Sequence, residues 1–264
     1  MTSCTLIEDT NLSHAWVRLF WTVRSQRIDP LAPIFVSITG YSAGLPSEDP
    51  DIPNDLDSAL AVQKKVMPSI AETASTIFPY KSWVRQGRPR RDEFFAWYIA
   101  QRLPRLRARN AKNVHGTYFE RMIGFTKDHE HNQLESIILQ YKSRIARGVA
   151  RPRRSALQAV IVDPLRDLTG QALRGFPCLH QVSFTYNDDD GLAVCAYYPS
   201  QFIFQRAYGN YLGLSHLGTF IAHELDLKMS RLSCMIGHVA DETPSAKSIR
   251  GLLDRGRQLT AERE

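Results

Sequence analysis

Residues 176–202, FPCLHQVSFTYNDDDGLAVCAYYPSQF, decide the fold. CLHQVSFTY and GLAVCAYYP are short, β-branched and aromatic, and NDDD-G between them is a good hairpin connection. The same stretch puts Cys178 straight after Pro177 at the mouth of the first strand, with His180 two residues on. A free cysteine is ordinarily a small buried hydrophobe. Its neighbours along the chain have to say whether this one is more.

Outward from the hairpin, ALQAVIVDP (156–164) reads as a strand stopped by proline, and SCMIGHVAD (233–241) as a last strand. Apolar spacing turns helical over Phe202–Leu227, a long helix buried in the sheet-rich half. On the N-terminal side, Leu12–Ser25 is an amphipathic helix with Trp16, Leu19, Phe20 and Val23 on one face, and IFVSI (34–38) is a strand. The proline-rich GLPSEDPDIPNDLD (44–57) reads as a surface loop. Ala59–Thr76 is expected to be helical and kinked or split at Pro68. Asp92–Leu106 and Asn132–Arg147 are two further helices, and the tail beyond the last strand is polar and charged. Helices first and a sheet-rich half second make an α+β protein, with no repeat and no interdomain linker.

The chain has 264 residues, 43% hydrophobic and 23% charged, enough for a substantial core. No apolar stretch has the length to cross a bilayer, and MTSCTLIEDTNLSHAW lacks the basic start and apolar run of a signal peptide. The expectation is a cytoplasmic protein without a membrane partner. The four cysteines, Cys4, Cys178, Cys195 and Cys234, show no CxxC and no zinc-like spacing with histidine, so no metal site and no disulfide is expected. The net charge of +6 is concentrated in RQGRPRR (85–91), RLPRLRAR (102–109) and RIARGVARPRR (144–154). Such runs suit an anionic partner, phosphate or a nucleic-acid backbone, where they are more than a solvated face. P-loop, GxGxxG, HExxH and GxSxG motifs are absent.

The pieces GTYFERM (116–122), NQLESII (132–138), ARPRRSALQAVIVDP (150–164), FPCLHQVSF (176–184), DGLAVCAYYPSQF (190–202), GNYLG (209–213) and IGHVAD (236–241) follow one another in an order that resembles the thymidylate synthase and pyrimidine hydroxymethylase superfamily. The resemblance covers about residues 93–241. It implies one synthase-like domain over 1–264 with a divergent N-terminal part (1–92) and a C-terminal tail (245–264). The fold it implies has three layers, with a large mixed sheet, a long buried central helix and flanking helices.

The chemistry it implies is covalent. A pyrimidine is not nucleophilic at C5 until something adds at C6, and a thiolate can do so. Cys178 matches the family's nucleophile. Arg153 and Arg154 match its arginine pair, which binds the nucleotide phosphate from the partner subunit, so a homodimer is implied, and guanidinium charge near Cys178 would favour the thiolate. Asn210 matches the residue that reads the pyrimidine, its carboxamide complementary to O4 and N3–H of uracil rather than to cytosine. Glu93 resembles the glutamate that orders relay water, Tyr118 the tyrosine near the cysteine, and Ser200 and His238 the phosphate and ribose contacts. The implied reaction is methylation or hydroxymethylation at C5 with 5,10-methylenetetrahydrofolate as carbon donor.

The chain also departs from the family. Pro199 stands where an arginine precedes the serine, Leu179 where a histidine follows the cysteine, and Ser183 where a glutamine is usual. Phe202 replaces an aspartate shared by pyrimidine and folate, and Ala240 replaces a tyrosine. RQLTAERE does not resemble the segment that closes over folate, and no N-terminal phosphate loop is recognisable, though Arg24 or Arg27 could substitute. These losses support a second reading, a synthase-like dimer that binds a nucleotide or nucleic acid without turnover. A third, in which the basic runs and Phe94, Phe95, Trp97 and Tyr98 bind nucleic acid by stacking, ranks last, because aromatics at helical spacing ordinarily pack inward.

Overall fold

The computed structural model describes residues 4–25, 29–65, 67–109, 113, 116–126, 128–148, 153–168, 170, 176–240 and 242–263. Strand β1 (Thr5–Asp9) leads into α1 (Leu12–Ser25), β2 (Ile34–Ile38) and a two-residue ribbon of β3 (Tyr41–Ser42) and β4 (Leu45–Pro46). Both α1 and β2 keep the bounds their patterns predict. β1 was not expected: TLIED has no apolar alternation, Leu6 and Ile7 being adjacent and Glu8 and Asp9 following them, and it becomes a strand because β2 pairs with it in parallel.

The expected loop at 44–57 is corrected. Helix α2 (Asp51–Ala61) begins inside it, with Pro50 at its N-cap and Pro53 in its first turn, where a missing N–H costs nothing. Helix α3 (Ile70–Ile77) follows Pro68, so the helix expected over 59–76 is split. A capping box between Ser69 and Glu72 starts α3. Next come α4 (Tyr80–Arg85), α5 (Arg91–Trp97), a π turn (Tyr98–Arg102) and α6 (Leu103–Arg109). The helix expected over 92–106 is thus continuous but widened in its middle. Pro104 cannot donate to the helical ladder, and the turn before it opens so that Leu103 N–H reaches the Tyr98 carbonyl.

Helix α7 (Tyr118–Ile123), α8 (Gln133–Ala146, capped by the Asn132 side chain), β5 (Gln158–Val160) and α9 (Pro164–Asp167) precede the hairpin of β6 (Gln181–Tyr186) and β7 (Gly191–Tyr198). A second π turn (Ile203–Ala207) enters α10 (Tyr208–Leu225), followed by β8 (Lys228–Ile236) and α11 (Ala246–Ala261). β8 starts five residues before the strand expected at 233–241, whose last residue, Asp241, lies outside the described residues, as do 149–152 of the third basic run. The tail at 245–264 is corrected too. Ile249, Leu252, Gly256 and Leu259 line one face of α11 and pack on α1, a stripe hidden in the sequence by the surrounding charge.

The sheet is mixed and six-stranded, in the order β1-β2-β8-β7-β6-β5. β1/β2 and β8/β7 are parallel, and the other pairs antiparallel. The N-terminal strands therefore complete the same sheet that carries the hairpin. Helices α10 and α1 cover one face, and nearly every residue of α10 is buried. Gly209 and Gly213 let α3 touch the backbone of α10, where a Cβ on Gly209 would stand 2.6 Å from Thr73 Cβ. The architecture is α+β with a large mixed sheet and flanking helices. Among the described residues, no helix is long and apolar enough to cross a membrane.

Candidate functional site around Cys178

The hairpin holds one end of the site. His180 N–H donates to the Tyr197 carbonyl (3.0 Å), and the His180 carbonyl accepts from Ile161 N–H (2.8 Å), so the chain is clamped two residues after Cys178. Cys178 is half-buried and packs against the hydrophobic core.

GTYFERM brings Tyr118 to it. Gly116 has φ +99°, the region that favours glycine, and Thr117 caps α7 in a capping box with Glu120. Thr117 Oγ1 lies 2.7 Å from Tyr98 Oη, and Glu120 also takes Arg107 Nη2 (2.7 Å) and His129 Nε2 (3.2 Å). Buried Arg121 meets Asp167 through two bonds of 2.5 and 2.9 Å and donates to the Ile161 carbonyl (2.9 Å). Tyr118 is thereby fixed from both sides. Burial pushes its phenol up to about 12, and Cys178 adds to that; the amides of Leu179 and Cys178 and the Arg206 guanidinium pull the other way.

The C-terminal end of β7 and the π turn supply the rest. Tyr211 Oη donates to Gln201 Oε1 (3.0 Å). Tyr198 Oη and Gln201 Nε2 are buried with no hydrogen-bond partner among the described residues, a condition that native interiors avoid and that suits a polar ligand. Burial raises the Tyr198 phenol, with Cys234, Tyr118, Tyr211 and Cys178 all close enough to raise it further. Arg206 reaches Thr73 Oγ1 at 3.4 Å and lies within electrostatic range of both Cys178 and Tyr118. Burial pushes the Cys178 thiol up, and Arg206 offsets only part of the rise. The free protein therefore holds the thiol, not the thiolate, at neutral pH.

The chain just after Ser200 runs beside His238. Gln201 forms an isolated parallel bridge with Val239, and its N–H donates to the His238 carbonyl (3.0 Å). His238 and Arg24 line a cleft of about 350 Å³ beside Glu242. The half-buried Glu242 carboxylate accepts from the amides of Phe204 (2.7 Å) and Gln205 (2.8 Å), capping the π turn. Burial raises its pKa against those bonds. Asn210 is buried on α10, four residues after Arg206 and next to Tyr211.

Other expected residues stand apart. Glu93 is exposed on the first turn of α5. Arg153 is exposed, and Arg154 donates twice to the Tyr186 carbonyl (3.2 and 3.1 Å) with its guanidinium over the Tyr186 ring (5.1 Å). Tyr186 ends β6, roughly 17 Å from the end nearer Cys178 at ~3.3 Å per residue. Arg24 is described, and Arg27 lies outside the described residues. The sequence reading missed Tyr198, Gln201, Tyr211 and Arg206. Only Arg206 carried a signal, as the lone charge in the apolar run FIFQRAYGNYLGL. Among the described residues, no group of three or more His, Cys, Asp or Glu is placed to hold a metal.

No family model matches this sequence, and no curated protein matches it.

Proposed function

We propose that the protein activates a pyrimidine nucleotide at C5, with Cys178 as the nucleophile, on a synthase-like scaffold. The observation that carries this reading is the grouping of Cys178, Tyr118 and Arg206 beside two buried polar atoms, Tyr198 Oη and Gln201 Nε2, that lack partners. A pyrimidine base offers exocyclic carbonyl oxygens to such donors. In the proposed step the Cys178 thiolate adds to C6, and the C5=C6 electron pair moves onto C5 and O4. C5 then takes an electrophile, a proton or a one-carbon unit. Loss of the original C5 hydrogen as a proton, and of the thiolate from C6, restores the ring. Methylation and hydroxymethylation both start this way, and Asn210 favours uracil over cytosine.

The resemblance implies 5,10-methylenetetrahydrofolate as the donor, and the residues here do not fit it. Phe202 stands in place of the shared aspartate. The C-terminal segment forms α11, packed on α1 and tied to the α2 side by Arg255–Asp49 (3.2 Å), instead of a closing strap. The proposal therefore rests on the pyrimidine half of the reaction.

Two further expectations belong to this reading. The face of the sheet away from α10 carries an apolar row that a second copy of the chain would cover, giving a homodimer in which Arg153 and Arg154 serve the neighbouring site. The compartment would be the cytoplasm, where the four free cysteines stay reduced.

The raised Cys178 thiol favours the second reading, a dimer that binds a nucleotide or nucleic acid without turnover. A panel of uracil and cytosine nucleotides, ribo and deoxy, tritiated at C5, separates the two. Release of label as water, abolished by Cys178→Ala and kept by Cys195→Ala and Cys234→Ala, is the expected result. No release from any nucleotide, together with saturable binding of one of them, would replace the enzyme by the binding protein.

A further inference from the structure

Helices α2, α3 and α4, the π turn at Tyr98–Arg102 and the middle of α10 border a second, half-open cavity of about 360 Å³, within the range of roughly 300–1,000 Å³ usual for small-molecule sites. It is separate from the Cys178 cluster. Ile70, Ala71, Glu72, Ala74 and Ser75 line it, while Thr73 between them turns toward Gly209 and Arg206.

Its walls are aromatic. Tyr80 and His216 stack at 4.3 Å with 11° between their planes, and Phe78 and Leu212 adjoin them. Burial, with Lys81 nearby, lowers His216 to about 4, so the stacked imidazole is neutral at physiological pH. The carboxylates at the rim are already engaged. Glu48 accepts from Tyr208 Oη (2.6 Å), Asp57 from Ile70 N–H (2.8 Å), and Glu72 from Ser69 N–H (2.9 Å). The cations are not. Lys81 and Arg102 line the cavity, neither forms an ion pair with a carboxylate of the described residues, and Arg102 Nε is buried without a partner.

We propose that this cavity is a second ligand site, for a planar aromatic carboxylate. The ring extends or edges the Tyr80–His216 stack, and the carboxylate meets Lys81 and Arg102. A neutral aromatic leaves Lys81 and the buried Arg102 Nε without an acceptor, and an aromatic cation forgoes both contacts.

Calorimetric titration of the full chain with 2-naphthoate, 2-naphthylmethanol and 2-naphthylmethylamine tests this. Naphthoate is expected to bind saturably at one site per chain, and Lys81→Met and Arg102→Met each to weaken it about tenfold, the loss of one charge-assisted contact. Tyr80→Ala should weaken all aromatic binding. Lys81 is exposed, so its variant is readable even if Arg102→Met disturbs the fold. Cys178→Ala should bind naphthoate as the wild type does. The proposal is overturned if naphthoate gives no saturable heat, if the alcohol or amine binds equally well, if both charge variants bind unchanged, or if Cys178→Ala abolishes binding.

Discussion

Met235 on β8 stands directly opposite Tyr197 on β7, on the sheet face that α10 does not cover. The same cross-strand row runs through Leu6, Phe35, Met235, Tyr197, Gln181 and Val160, one residue from each strand. Its five apolar members are 37–58% exposed. The neighbouring row, Glu8–Ser37–Ser233–Cys195–Ser183–Gln158, is small and mostly polar. The row is apolar except at Gln181, and it is the surface that the proposed second copy would cover. Light scattering at micromolar concentration is expected to give a dimer, and Tyr197→Asp with Met235→Asp a folded monomer. A monomeric wild type would remove the homodimer and with it the shared role of Arg153 and Arg154.

Two glycines in helices should respond in opposite directions to alanine. Gly209→Ala forces a methyl to 2.6 Å from Thr73 Cβ and 2.9 Å from the Ile70 carbonyl, so α10 and α3 must part. Overpacking of this kind costs about 1–3 kcal/mol. Gly251, inside α11, has nothing within 4 Å of a Cβ, and alanine there should stabilise by about 0.5–1 kcal/mol through helix propensity. Urea denaturation of the two variants against the wild type measures both.

The sequence revealed elements wherever local pattern and tertiary role agree. The hairpin at 181–198, α1, β2 and α8 announce themselves through alternation, helical spacing or the Asn132 cap. β1 was illegible because TLIED has no alternation of its own and is a strand only with β2 beside it. α2 was masked by Pro50 and Pro53, which read as loop residues yet sit at a helix start where proline is harmless. For the site, Cys178 and Tyr118 could be named because their motifs are contiguous. Tyr198, Gln201 and Tyr211 could not, since a buried polar atom without a partner is a property of packing. Arg206 was visible as a lone charge, but its approach to Cys178 depends on the π turn before α10, which no periodicity announces.

The buried Arg121–Asp167 pair should give acid sensitivity. Burial works against the Asp167 carboxylate, but the two Arg121 bonds and the Asp163 amide (2.9 Å) outweigh it and hold its pKa below the usual value. A depressed carboxylate adds stability above its unfolded pKa of about 3.9, and that stability fades as pH falls through the folded value. Asp167→Asn takes the carboxylate from the buried Arg121 pair and should cost about 3–5 kcal/mol at pH 7. The difference from wild type should begin to shrink below about pH 4, where the unfolded chain takes up the proton first, and go on shrinking as pH falls through the lower folded value. Denaturation curves at pH 7 and pH 3 report it, and a gap of equal size at both would mean that Asp167 is not ionised in the fold.

The last prediction isolates the cation beside the thiol. Burial raises the Cys178 pKa, and Arg206 is the charge that opposes the rise. Removing a cation disfavours the thiolate, so Arg206→Gln should move the pH profile of Cys178 alkylation to higher pH. Arg206→Lys, which keeps the charge on a shorter reach, should move it less. Iodoacetamide labelling rates between pH 6 and 10, read at the Cys178 peptide by mass spectrometry, give both profiles. The measurement needs no substrate, so it stands apart from the tritium experiment. A shifted profile with no tritium release would leave an Arg206-tuned thiol in a protein that only binds. An unshifted profile with release intact would leave the enzyme and assign thiol activation to another group, with the partner's arginine pair next in line.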